Sequence, residues 1–128
     1  MPSIADVVKR LEELTTSRKL QWSRIEPPDS IAVGTDSKIL AFFTATFNGR
    51  HVGIYEERYR GFDIDSETSY WTSREVLVFF DISWDVTWEA PTTPGIARLY
   101  DAIKYQKADV DTIMNDILID NNEEESFV

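Results

Sequence analysis

The stretch YWTSREVLVFFDISWDVTWEA, residues 70–90, decides the fold. Its even positions from Val76 onward are apolar: Val76, Val78, Phe80, Ile82, Trp84, Val86 and Trp88. From Asp81 the odd positions are polar: Asp81, Ser83, Asp85, Thr87 and Glu89. A period of two belongs to strands with one face buried and one face wet. This phase makes the even face the core wall, Trp84 and Trp88 included, and the odd face acidic and solvated. A single strand over 75–88 would far exceed the usual ~5–6 residues, and Asp81, Ser83 and Asp85 tolerate turns. The expectation is two strands, about 73–80 and 86–90, joined near Asp81–Asp85. No glycine fixes that turn, so one long bent strand is the alternative.

A sheet with one apolar face needs a cover, and amphipathic helices flank it on both sides. Ile4, Val7, Val8, Leu11 and Leu14 form one stripe at helical spacing, predicting a helix over 3–17 with Ser3 as N-cap and Asp6 completing a variant capping box. Leu20, Trp22 and Ile25 suggest a short extended segment ended by Pro27-Pro28, with Trp22 anchoring the first helix to the sheet. After the sheet, Thr93 and Pro94 suit the N-cap and first turn of a helix over 94–106, whose stripe is Ile96, Leu99, Tyr100 and Ile103. A second short helix after Ala108-Asp109 carries Val110, Ile113, Met114, Ile117 and Leu118 on one face, with Asp111 favourably placed in its first turn.

Between these, Ile31–Val33 reads as a short strand turning at Gly34-Thr35-Asp36. KILAFFTATF-NG-RHVGIYEERY is the clearest hairpin signal, because both residues of a two-residue turn need positive φ. A two-residue loop pairs Phe47 with Arg50, Ala45 with Val52 and Phe43 with Ile54, putting Ile39, Ala41, Phe43, Ala45 and Phe47 on one face and Phe42 with Tyr55 on the other. Residues 60–73 read as a long solvated loop. Its Asp63, Asp65 and Glu67 alternate, but Thr68 and Arg74 stand where a calcium loop requires glycine and a bidentate glutamate.

These elements give an α+β domain over 1–118: an antiparallel sheet of about 4–6 strands, with an N-terminal helix and two C-terminal helices on one face. Residues 119–128 read as an acidic, disordered tail. The length fits one domain. The N-terminus has no basic segment of a signal peptide, and no apolar run is long enough to span a membrane. The chain has no cysteine and one histidine, which excludes disulfides and thiol chemistry, disfavours zinc, and fits a cytoplasmic protein. The net charge of −10 argues against direct binding to nucleic acid or anionic membrane and suits a basic partner.

Leu14-Thr15, Leu20-Gln21-Trp22, Leu99-Tyr100, and Val110-Asp111 through Ile117-Leu118 resemble landmarks of a loose group of small prokaryotic helix–antiparallel sheet–helix proteins without assigned function. In that pattern the last strand pair turns at Asp-x-x-Gly; this chain has Asp81-Ile82-Ser83-Trp84 there. The resemblance implies a fold and no activity.

Chemistry is sparse. His51 lacks a recognisable triad and reads as a surface residue. Glu56 and Glu57 point to opposite faces of a strand; Glu56 falls on the core side opposite Ala41, with Arg58 as a suitable partner. No cofactor or metal is expected. The favoured function is a non-enzymatic, acidic protein-binding module of the immunity, antitoxin or inhibitor kind. Its candidate contact residues are Tyr70, Trp71, Trp84, Asp63, Asp65, Asp81 and Asp85. The alternatives are a dimeric secretion-type chaperone and a carboxylate-dependent enzyme. The chaperone class carries a helix between its third and fourth strands, for which residues 61–73 offer no helical stripe.

Overall fold

The computed structural model describes residues 3–33 and 36–120. Five antiparallel strands follow one another in a meander of order β1-β2-β3-β4-β5. They are β1 (Ser23–Arg24), β2 (Lys38–Phe47), β3 (Arg50–Asp63), β4 (Thr68–Phe80) and β5 (Val86–Glu89). The N-terminal helix α1 (Ile4–Thr16) and the C-terminal helices α3 (Pro94–Lys107) and α4 (Val110–Asp120) complete an α+β fold. The helix runs on to Asp120; the expected tail beyond it lies outside the described residues, as does the Gly34-Thr35 part of the expected turn.

The Asn48-Gly49 hairpin forms in the expected register, with Asn48 at φ 51° and Gly49 at φ 78°. That register holds from Phe47 back to Phe43 and then breaks. Ala41, at φ 41°, sits in a bulge between Leu40 and Phe43. The extra residue reverses the alternation, so Ile39 joins Phe42 and Tyr55 on the far face instead of following Phe43. It also places Glu56 opposite Leu40, not Ala41. The carboxylate that finds an arginine is Glu57, 2.9 Å from Nε of Arg74.

Both faces of the sheet are buried. Beneath the helices lie Phe43, Ala45, Val52, Ile54 and Leu77, packed with Val8, Leu11, Trp22, Ile96, Leu99, Tyr100 and Ile103. The other face carries Phe42, Tyr55, Val76, Val78 and Phe80. This corrects the expected phase: the even residues Val76, Val78 and Phe80 are buried, but away from the helices, while Leu77 and Phe79 face them. From the Asp81–Asp85 turn onward the even stripe is not a core wall, since Ile82, Val86 and Trp88 are exposed. Ile39 extends the second face along β2, and Ile31 and Trp84 pack over it. Ile31 belongs to one helical turn, α2 (Asp29–Ala32), where a short strand was expected. Pro28 at its N-cap position is extended, and its carbonyl accepts from the amides of Ile31 and Ala32.

Trp22 fastens the helices to the sheet, as its position suggested. Its indole Nε1 donates to Oγ1 of Thr15 at 2.9 Å. The buried Gln106 amide closes the same junction: its Nε2 donates to the carbonyls of Leu20 (2.8 Å) and Thr15 (3.1 Å), and its Oε1 accepts from the Trp22 amide (3.3 Å). Each buried polar group here has a partner, which is what makes such a junction tolerable inside an apolar core.

Candidate functional site

The residues expected to touch a partner fall into two groups at opposite ends of β4. At one end, residues 60–73 are not a loop. β3 and β4 continue pairing out to Asp63 and Thr68 and close in a turn over residues 64–67. Oδ1 of Asp63 accepts from the Asp65 amide at 3.0 Å, and Glu67 takes φ 54°. Side chain–backbone bonding of this kind lets the turn close without glycine. The result is a two-stranded arm with an apolar surface: Phe62, Tyr70 and Trp71 are exposed, and Ile64 at its tip is 80% exposed. Lys38 Nζ and the Arg60 guanidinium lie 5.4 and 5.3 Å from the Trp71 ring centre, holding the indole by cation–π attraction.

The arm also leaves an open sheet edge. β5 pairs with β4 only at Val78, Phe79 and Phe80. No described strand pairs with the outer edge of β4 from Thr68 to Val76. A long unpaired edge is a template for another strand.

At the other end of β4, Asp81 organises the turn into β5. Its Oδ1 accepts from the amides of Ser83 (2.8 Å) and Asp85 (3.1 Å). Trp84 stands in this turn at φ 66°, the backbone shape a glycine takes readily and an L side chain resists. It leaves the strand without becoming free surface. Its ring stacks on His51 at 3.7 Å and 6°, and lies 5.4 Å from Phe80. Its carbonyl accepts from Oγ of Ser30 at 2.7 Å, joining the turn to α2. His51, expected at the surface, is half-buried beneath it, with Nδ1 3.2 Å from Oγ1 of Thr46.

This geometry gives an unusual ranking of substitutions. Trp84→Ala loses the stack and keeps the strained φ; Trp84→Gly loses the stack and removes the strain. The glycine variant is expected to be the more stable by about 1 kcal/mol, the reverse of the order inside a helix or strand. Chemical denaturation of the two variants measures this directly.

A third apolar surface is on α4, where Ile113, Met114, Ile117 and Leu118 are each more than half exposed. The helix is tied to the body through Asp111, whose carboxylate accepts from the Tyr105 hydroxyl at 2.6 Å and pairs with Arg18 at 3.2 Å. These two bonds hold the Asp111 carboxyl below its ordinary range, Tyr105 first and Arg18 second. The expected stripe is therefore present, but it faces outward.

No grouping of three or more His, Asp or Glu side chains suited to a metal occurs among the described residues. Asp63, Asp65 and Glu67 shape the arm's turn. Glu57, Arg74 and Glu89 form an ion network across β3, β4 and β5, with Arg74 Nη1 3.8 Å from Glu89. Beside it burial, then Glu57 and Glu89, push the Tyr55 hydroxyl up to about 12, so it stays neutral. The sequence singled out Tyr70 and Trp71, which are exposed, and passed over the equally exposed Phe62 and Ile64, because neither stands in a patterned run. Among the described residues, no helix is long and apolar enough to cross a membrane. Comparison with protein-family profiles, with curated protein sequences and with solved structures gives no match for this chain.

Proposed function

We propose that this chain is a protein-binding module that takes an extended segment of another protein onto the open edge of β4. The observation that supports this reading is the coincidence of that edge with the exposed aromatics of the arm, Phe62, Tyr70 and Trp71. Strand addition draws affinity from main-chain hydrogen bonds and specificity from alternate side chains. Edge strands are ordinarily shortened, charged or covered, whereas this one carries adjacent aromatic residues. The net charge of −10 and the acids Asp63, Asp65 and Glu67 at the arm's turn favour a basic segment.

The test places a photo-crosslinking residue at Thr72 of the full chain in native host cells. A discrete protein adduct is expected, lost in Ser73→Pro and Trp71→Ala and retained in Ile117→Asp. Circular dichroism checks that each variant stays folded. No adduct, or one indifferent to the edge variants, overturns the reading.

A second reading, a homodimer closed through α4, is favoured by the exposed stripe Ile113, Met114, Ile117 and Leu118. Sedimentation of the purified chain separates the two. A dimer that Ile117→Asp dissociates supports this second reading, and a monomer removes it.

A further inference from the structure

A further concavity lies elsewhere, between α1, the β2–β3 hairpin and the neighbouring strands. It measures about 840 Å³, within the range of small-molecule sites. Its walls are mainly apolar, with Val7, Leu11 and Leu14 from α1 and Phe47, Val52 and Phe79 from the sheet, beside the polar Asn48, His51 and Thr87. The spacing on α1 explains its shape. Positions 7, 11 and 14 fall on one side of a helix, and Arg10, three residues after Val7 and four before Leu14, flanks that side. The hairpin carries Phe47 and Val52 beside the helix and brings Arg50 with them.

The charges at this site run against those of the chain. In a protein of net charge −10, the cleft is lined by Arg10 and Arg50 against one carboxylate, Asp6. Arg10 meets Glu13 at 3.6 Å, but both side chains are more than half exposed, and such a contact contributes little. It does not hold the guanidinium away from a ligand. An apolar cavity with cationic, fork-shaped donors on its lining fits a molecule with an apolar body and an anionic head.

We propose that this cleft binds a small amphipathic carboxylate, its apolar portion between α1 and the sheet and its carboxylate on Arg10 and Arg50. The site is separate from the β4 edge and does not depend on the protein-binding reading. Strand addition uses main-chain groups on the arm side of β4; this cleft uses side chains at the Asn48-Gly49 end of the hairpin.

The probe is dodecanoate below its micelle-forming concentration, titrated calorimetrically into the full chain. Methyl dodecanoate and dodecyltrimethylammonium serve as neutral and cationic controls. One-to-one binding of dodecanoate is expected, about ten-fold or more tighter than either control. Arg10→Glu and Arg50→Glu should each weaken it by about ten-fold or more. Amide chemical shifts should move at Val7, Leu14, Phe47 and Phe79. Val7→Phe, which fills the cleft and leaves both arginines, provides a second test should a charge reversal disturb folding. The proposal is overturned by no binding, by equal binding of the three probes, or by shifts centred on Ile113–Ile117 instead of the cleft.

Discussion

Trp22→Ala is expected to destabilise the protein by about 3–5 kcal/mol, the range for truncating a buried large aromatic side chain. Native domains of this size hold only ~5–15 kcal/mol in total, so the variant should lose much of its resistance to urea. The cause is more than a cavity. Trp22 is almost fully buried, and its Nε1–H is the donor to Thr15 Oγ1 in the junction with Gln106. Trp22→Ala removes the ring and one partner of that hydroxyl together. Two milder variants separate these parts. Trp22→Phe retains most of the ring and removes the donor. Thr15→Val retains the ring and leaves the indole N–H buried without its acceptor, at a cost of about 1–3 kcal/mol. If Trp22→Ala costs no more than Thr15→Val, packing at this junction is loose and the assignment of Trp22 as the anchor fails.

The second large effect concerns the sheet face turned away from α1 and α3. Phe42 is almost fully buried there, stacked on Tyr55 at 5.7 Å and edge-on to Phe80 at 6.0 Å. Its ring passes over Gly53, where an added Cβ would stand 2.6 Å from Phe42 Cζ and 2.8 Å from Phe80 Cε2. Phe42→Ala is expected to cost about 3–5 kcal/mol, and Gly53→Ala about 1–3 kcal/mol from overpacking. The two are coupled, because removing the Phe42 ring relieves the closest of the methyl's clashes and leaves only that with Phe80. The double variant Phe42→Ala/Gly53→Ala should therefore be more stable than the sum of the single costs. Additive costs in urea unfolding would mean that Phe42 does not lie over Gly53. A near-neutral Phe42→Ala would mean that this face is not a second core.

The sequence features that proved most reliable were those set by local chemistry. Asn48-Gly49 needed no tertiary information to become a turn, and the register next to it followed. The helical stripes of α1 and α3 were equally legible, because 3.6-residue periodicity and a proline at the first turn are local. The phase of β4 was not. Residues 76–80 read VLVFF, and an unbroken apolar run contains no alternation to say which face meets the helices. Extending the phase back from residues 82–88 crossed the Asp81–Asp85 turn, where the alternation restarts.

The bulge at Ala41 was hidden because nothing in AFF marks an extra residue. For the candidate site, the exposure of Tyr70 and Trp71 could be read and the arm beneath them could not. Its strands are held by cross-strand pairing, and the alternating acids of its turn look like a loop. The cleft beside α1 was illegible because α1 and four strands, far apart in the chain, line it together.

The meander has a consequence for the order in which the protein is made. Every strand pair joins neighbours in the chain, so the sheet can zip outward from the Asn48-Gly49 turn at little loop-closure cost. The helical layer is different. The Trp22–Gln106 bond closes a span of 84 residues, and α1 finds its partner only when α3 exists. During synthesis, then, the sheet side bearing Phe43, Ile54 and Leu77 lacks its α3 cover until the chain has emerged to about Lys107. The sheet is built first, and its two ends are brought together last.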